Sequence, residues 1–307
     1  MTKEEKKQWL EERRTGIGGS DVAAVLGINP YRSPVEVYLD KTGQSPLETP
    51  DNDKMYWGRA LEDLVAQEFS KRTGKKVQRR NQMFRDKEYP FLIANIDRYI
   101  VGEQAILECK TASEYTKDQW GEDGTDDVPF YYLCQVLHYM YVTGYYKGYL
   151  AVLIGGHDYR IYNISYNENV ANKIKSKCID FWNNHVLKKV PPKPINLEDV
   201  KALYSTTSQE AIIKEADENI LQLTETYKAL KREEKDILEK LKETQKKIME
   251  FLQDANTLIN PVSGKILATW KENKTKRFDA SILKIEQPEI YNKYTKEISS
   301  RRFIIKK

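Results

Sequence analysis

Two periodicities divide the chain. Over residues 1–190, apolar positions recur first at helical and then at alternating, strand-like spacing, which predicts an α/β or α+β core. The segment VPPKPINLED from Val190 to Asp199 then favours extended chain, because proline disfavours helix before it. Beyond it, Ile213, Ala216, Ile220, Leu223, Tyr227, Leu230, Ile237, Leu241, Ile248 and Phe251 follow a 3-4 spacing broken at Glu234 and Thr244. That is a coiled-coil-like helix, pairing either with its copy in another subunit or with its own chain. A hairpin over KILATWKENKTKRF, a short helix from Pro288 to Lys296 and a last strand, RRFIIKK, complete the pattern. The expected division is a core domain over 1–190, a linker over 191–207, the long helix over 208–256 and a small basic α/β segment over 257–307.

A length of 307 residues suits two domains. With 40% hydrophobic and 31% charged residues the chain is globular, and wholesale disorder is excluded. The net charge of +4 says little about a polyanionic partner, but its distribution says more. From Asn260 onward twelve Lys and Arg stand against five Asp and Glu, an excess that suits a phosphate backbone or, equally, a solvated charged face. Cys109, Cys134 and Cys178 are odd in number and widely spaced, against a disulfide framework or a zinc or iron–sulfur cluster and in keeping with a reducing cytoplasm. The start, MTKEEKKQWLEERR, has no apolar signal core, and no run approaches the ~18 apolar residues that would span a bilayer. The expectation is a cytoplasmic protein, neither secreted nor membrane-embedded.

Candidate chemistry begins with PFLIANIDRYIVGEQAILECKTAS, two β-rich runs around Gly102-Glu103, a pair suited to a two-residue type II′ turn. If Val101 pairs with Gln104, Asp97 falls opposite Glu108 and Asn95 opposite Lys110, all on one face. Two carboxylates facing each other repel, so this arrangement calls for a cation. Hard oxygen ligands suit Mg²⁺, with Mn²⁺ as a substitute, better than zinc. Lys110 faces the same place, where it can orient or help deprotonate a water and stabilise charge developing on phosphorus.

Three other segments carry candidates. In WGRALEDLVAQEFSKRTG the apolar stripe runs over Leu61, Leu64, Val65 and Phe69, with Glu62 at its edge and Glu68 within it, and the helical wheel does not choose between them. Pro129 opens a helix, PFYYLCQVLHYMYVTGY, in which Gln135 and Tyr139 stand four apart on one side, while His138 reads as a packed ring. In RRTGIGGSDVAAVLG a Gly-rich turn precedes a helix with Ser20 or Asp21 as N-cap and Arg13 or Arg14 nearby, a cradle for a terminal phosphate or a simple cap. The lack of a Lys-Ser/Thr ending speaks against a nucleotide-binding loop.

Taken in order, RRTGIGGSDVAAVLGINPYRSPVEVYLDKTG, WGRALEDLVAQEF, ANIDRYI, LECKTAS and CQVLHYMYVTGY resemble the YqaJ-type viral recombinases, in the lambda-exonuclease-like branch of the PD-(D/E)xK nucleases. The match spans Trp9 to Val190, and KILATWK to RRFIIKK is similar to the tails of phage and prophage members. The resemblance implies a restriction-endonuclease-like core, a mixed central sheet flanked by helices. It implies that Asp97, Glu108 and the Cys109 carbonyl hold metal, that Lys110 activates water, and that Glu62, rather than Glu68, is the acidic helix residue, acting on metal through water. Gln135 matches the glutamine of the Q-x-x-x-Y helix, with Tyr139 as the tyrosine on the DNA side. Arg13 and Ser20 match the residues that hold a 5′-phosphate. The first acidic motif departs from the family's Pro-Asp, reading Asn-Ile-Asp.

The resulting expectation is Mg²⁺-dependent hydrolysis of the 5′-ended strand at double-stranded DNA ends, leaving 3′ overhangs for a single-strand annealing protein, by a homo-oligomer that the resemblance makes a trimer. Two other readings stand beside it. One is an endonuclease on the same fold, acting on duplex or branched DNA, and the other a non-catalytic DNA-binding or coiled-coil scaffold protein.

Overall fold

The computed structural model describes residues 2–48, 51–80, 82–205, 212–297 and 300–306. Residues up to Leu203 form one unit and those from Tyr204 a second.

The first unit opens with helices. In α1 (Lys3–Arg14) the Thr2 hydroxyl accepts the Glu5 N–H while the Glu5 carboxylate accepts that of Thr2, so two otherwise orphaned donors are satisfied. Next come α2 (Gly19–Val25), α3 (Pro34–Lys41) behind a Ser33 cap, and α4 (Asp53–Thr73), which begins at the Asn52 cap and ends where Gly74 takes a left-handed φ of +69°. Short strands β1 (Val77–Gln78), β2 (Phe84–Arg85), β3 (Ile93–Ala94) and β4 (Arg98–Ile100) lead into the long β5 (Ala105–Ala112). Then follow α5 (Phe130–Thr143), β6 (Lys147–Ile154), β7 (Asp158–Ser165), α6 (Glu168–Phe181) and α7 (Leu197–Leu203).

The central sheet has the order β1-β4-β5-β6-β7 and is antiparallel except between β5 and β6. A parallel neighbour needs a crossover, and α5 supplies it. Alternation along β5 sends Ile106 into the core shared with α5, where Val136, Leu137 and Met140 lie. Leu107 and Cys109 enter the opposite core, with Val65, Ala66 and Phe69 of α4. Glu108 and Lys110 therefore belong to the α5 face. The fold is a mixed α/β one, a mostly antiparallel sheet between helices, in agreement with the expected class.

Several local expectations need correction. Leu64 is exposed, and Ala66 takes its place on the buried stripe of α4. The stretch read as linker contains α7, tied down by Asp199, which is buried and accepts the Ile195 N–H (2.9 Å) and the Ser33 hydroxyl. Residues 206 and 207 of that stretch, and 208–211 of the expected helix, lie outside the described residues.

In the second unit, α8 (Glu218–Leu252) starts later than periodicity suggests, because Asp217 caps it by accepting the Ile220 N–H at 2.9 Å, and Ile213 and Ala216 fall before it. The hairpin is also displaced. β8 (Thr257–Ile259) pairs with β9 (Ile266–Thr269) across a turn in which Asn260 and Lys265 bond and Gly264 has φ +67°. The segment after Thr269 is not a strand, and neither are residues 300–306, where a last strand was expected. Two short helices, α9 (Ala280–Glu286) and α10 (Pro288–Tyr294), lie between, the second on the expected proline.

Candidate active site

The register read from sequence holds, while the turn differs. Arg98 pairs with Leu107 and Tyr99 with Ile106, the pairing that a Val101–Gln104 hairpin requires. The connection is four residues long, because Glu103 N–H bonds Ile100 O (3.2 Å) and Gly102 takes φ +84° as third residue of that turn. The ladder stops at Arg98, so Asn95 does not pair with Lys110. Instead of continuing backbone pairing, Asp97 turns its carboxylate onto β5, where Oδ2 accepts the Cys109 N–H at 2.9 Å.

This brings Asp97 beside Glu108. Burial, and then the Glu108 charge, push the Asp97 carboxyl well above the usual range. Glu108 is 3% exposed and is raised by burial, against the opposing pull of Lys110. Its Oε1 accepts two hydrogen bonds of 2.6 Å, from Lys110 Nζ and from Gln135 Nε2. Its Oε2 is buried with no hydrogen-bond partner among the described residues. Gln135 also donates to the Tyr139 hydroxyl at 3.2 Å, and burial keeps that phenol neutral by raising its pKa. Burial pulls Lys110 down, but Glu108 and Asp97 outweigh it and hold it as an ammonium, 5.1 Å over the Tyr132 ring.

Neighbouring residues on a strand face opposite ways, and Arg98 accordingly points toward α4. It is 4% exposed and donates to Glu62 Oε1 (2.7 Å), to Asp97 O (2.6 Å) and to Asp63. Arg79 reaches the same Glu62 oxygen at 2.8 Å. Glu62 is close enough to raise both Asp97 and Glu108, after the larger effects already named. Glu68 is instead bonded to Arg72 along its own helix at 2.7 Å. Sequence reasoning missed Arg98, although an arginine following the acidic motif residue and alternating to the other face was readable.

Asp97 and Glu108 with one orphaned buried oxygen fit a divalent cation. Among the described residues no three or more His, Cys, Asp and Glu side chains form a ready-made metal cage.

The N-terminal candidates form a second cluster. Arg13 Nη2 donates to the exposed Ser20 hydroxyl at 2.5 Å. Arg14 is committed elsewhere, to Asp40 (3.0 Å) and to the carbonyls of Ser45 (2.7 Å) and Pro46 (2.6 Å). The N-cap of α2 is Gly18, not Ser20 or Asp21, and the Asp21 carboxylate accepts the Gly18 N–H at 3.0 Å. Gly19 lies so close to the Tyr139 ring that a Cβ there would meet it at 2.4 Å, which packs α2 against the Gln135 helix. His138 is buried, its Nε2 3.0 Å from Ile93 O, and burial lowers its pKa, so it is a packed ring as expected.

A model of the YqaJ-like viral recombinase domain matches residues 8–146. Protein YqaJ of Bacillus subtilis (strain 168) is 38% identical over 305 residues, 97% of this chain and 93% of that protein. The chain therefore belongs to the YqaJ-like viral recombinase family. A protein of Acanthamoeba polyphaga mimivirus is 25% identical over 149 residues, 45% of this chain and 26% of its own. Among solved structures, the alkaline exonuclease LHK-Exo of Laribacter hongkongensis aligns over 60% of this chain and 93% of its own with a TM-score of 0.49 at 15% identity.

Proposed function

We infer that the protein is a Mg²⁺-dependent DNA nuclease that hydrolyses the 5′-ended strand at duplex ends and leaves a 3′ overhang. The observation that carries this reading is the Glu108 carboxylate, with Oε1 doubly bonded to Lys110 and Gln135 and Oε2 buried, unpartnered and beside Asp97. An acid held in this way is costly unless a cation completes it.

Asp97, Glu108 and the Cys109 carbonyl would hold Mg²⁺, with Glu62 acting through water, and Mn²⁺ would substitute. Bound there, the ion supplies Lewis-acid polarisation of the scissile phosphate and neutralises the charge that develops on it. Gln135 fixes the orientation of Glu108, and Arg98 fixes that of Glu62. Lys110 is held protonated by the two carboxylates, where it can hydrogen-bond a water or a phosphate oxygen. Once those carboxylates are neutralised, burial is left to pull its pKa down, toward a lysine able to take a proton from water. Arg13 and Ser20, a guanidinium–hydroxyl pair at the surface, would hold the 5′-phosphate, while Tyr139, expected to meet DNA, is buried against Gly19 and bonded by Gln135 and so backs this region instead.

No helix among the described residues is long and apolar enough to cross a membrane, and the three cysteines are free and buried, as in a reducing host cytoplasm. A single-strand annealing protein as partner and a ring of three subunits follow from the family resemblance. The test is Mg²⁺-dependent digestion of end-labelled linear duplex by wild type and Lys110→Ala. Loss of the 5′-ended strand, faster from a 5′-phosphate than a 5′-hydroxyl and abolished in the variant, is expected. Cleavage of covalently closed circles would point to an endonuclease, and full activity of Lys110→Ala would refute the site.

A further inference from the structure

The proposed reaction makes no use of α8. From Ile220 to Phe251 its 3-4 positions fill the a and d places of five heptads, with Glu234 at an a place and Thr244 at a d place. The apolar members remain 39–76% exposed along a helix about 50 Å long. The β8–β9 hairpin does not cover this line, because Trp270 shares a groove with Lys242, Lys246 and Met249 on another side of the helix. The Phe303 ring meets Tyr227 edge-on, with centroids 5.7 Å apart. A stripe of this length, flanked by charge, is the surface of a helix that pairs with another helix.

Charge decides which helix and in which direction. In a parallel pair Glu234 would face its own copy, and the flanking contacts, such as Glu233 with Leu238 and Lys240 with Gln245, would include no opposite charges. In an antiparallel pair of full overlap, Ile220 lies against Phe251, Leu230 against Leu241 and Glu234 against Ile237. Glu233 then stands beside Lys240 of the second copy, and symmetry repeats that contact. Shifting the register by one heptad either way sets Glu233 against Glu233 or Lys240 against Lys240. The Glu234 carboxylate is already held by Lys231 of its own helix at 2.6 Å, which offsets its placement in the seam. A polar residue at an a place that tolerates one orientation and not the other is a known means of fixing partner and direction.

We propose that α8 is a self-association helix that joins two copies of this chain as an antiparallel coiled coil centred on the Glu233–Lys240 pairs. This contact is independent of the nuclease site and of any association through the first unit.

The test measures the mass of the full-length protein at micromolar concentration. Leu241→Asp halves the mass. Glu233→Lys weakens association at least tenfold, and adding Lys240→Glu to the same chain restores it, since the pair is rebuilt with charges exchanged. Disulfide trapping reads the direction even if a variant folds poorly. Chains carrying Glu234→Cys link to chains carrying Ile237→Cys under mild oxidation. Efficient linkage of Ile237→Cys to itself would mean parallel helices and overturn the proposal. A mass unchanged by Leu241→Asp, with no linkage in any mixture, would mean that the stripe packs within its own chain and would overturn it equally.

Discussion

Gln135 Nε2 lies 2.6 Å from Glu108 Oε1 and leaves the other oxygen of that carboxylate buried without a partner. One oxygen is fixed by α5 and by Lys110, so the second has a defined direction before any ligand arrives. Preorganisation of this kind costs stability in the empty protein, because the charge is desolvated in advance.

The cost is measurable at Asp97. Its pKa is raised by burial and by Glu108, so the folded protein binds the proton more tightly than the unfolded chain does. The contribution of Asp97 to metal-free stability is therefore greatest below the ordinary aspartate value of 3.8 and is lost as pH rises through the elevated folded value. Asp97→Asn removes that loss while its side-chain oxygen can still accept the Cys109 N–H. At neutral pH without metal the variant should melt higher, by about 2–4 °C for each kcal/mol regained, and should lose both Mg²⁺-induced stabilisation and nuclease activity. Melting curves against pH, with and without Mg²⁺, check this. A lower melting point in the metal-free variant would contradict it.

Much of this site was legible because strand alternation is rigid. Once Asp97, Glu108 and Lys110 were placed on a hairpin, parity alone put the last two on one face, and the four-residue turn kept the register because it lengthened each side equally. What sequence did not disclose came from side chains acting in place of backbone. Asp97 bonds Cys109 where the ladder stops, and Asp217 starts α8 after two residues that fit its apolar repeat. Choosing Glu62 over Glu68 on the helical wheel was impossible, because the difference lies in Arg98, which is distant in sequence and arrives from β4. The tail was misread as strand because RRFIIKK has strand composition, while pairing depends on a neighbour that composition cannot supply.

Arg98 should matter to both stability and activity. It is nearly fully buried and serves Glu62, Asp63 and the Asp97 carbonyl at once. Arg98→Ala leaves those acceptors facing one another and should cost about 3 kcal/mol, read as a lower urea midpoint. Arg98→Lys keeps the charge but cannot span three acceptors, so it should fold while requiring more Mg²⁺ for half-maximal activity. An Arg98→Lys enzyme with wild-type metal dependence would show that Glu62 needs no positioning.

The two neighbouring arginines of α1 should separate cleanly. Arg13 meets Ser20 at the surface, so Arg13→Ala should fold normally and lose about tenfold of any preference for 5′-phosphate over 5′-hydroxyl ends, as removal of a bond to a charged group predicts. Arg14 holds Asp40 and two carbonyls, so Arg14→Ala should lower the melting temperature and leave the end preference alone. Digestion rates on paired substrates, beside thermal melts, distinguish them, and an Arg14 effect on end preference would misplace the phosphate.

Acid sensitivity should trace to Asp21. Its carboxylate is fully buried between Lys41 Nζ (2.8 Å) and Arg32, and it accepts the Gly18 N–H. Burial alone would raise its pKa, but Lys41, Arg32 and Arg13 overcome that and depress it well below 3.8. The stability this pairing contributes is complete above the unfolded value and is lost as pH falls below it toward the depressed folded value. Asp21→Asn leaves the Lys41 ammonium, 1% exposed, with Asp40 at 3.5 Å as its remaining carboxylate, and should cost about 3–5 kcal/mol at neutral pH. Because the variant has already lost the interaction, its stability should change less than that of wild type between pH 5 and pH 3, a range chosen to bracket the unfolded value. Urea midpoints measured across that range decide the matter, and parallel acid limbs in the two proteins would show that another carboxylate carries the transition.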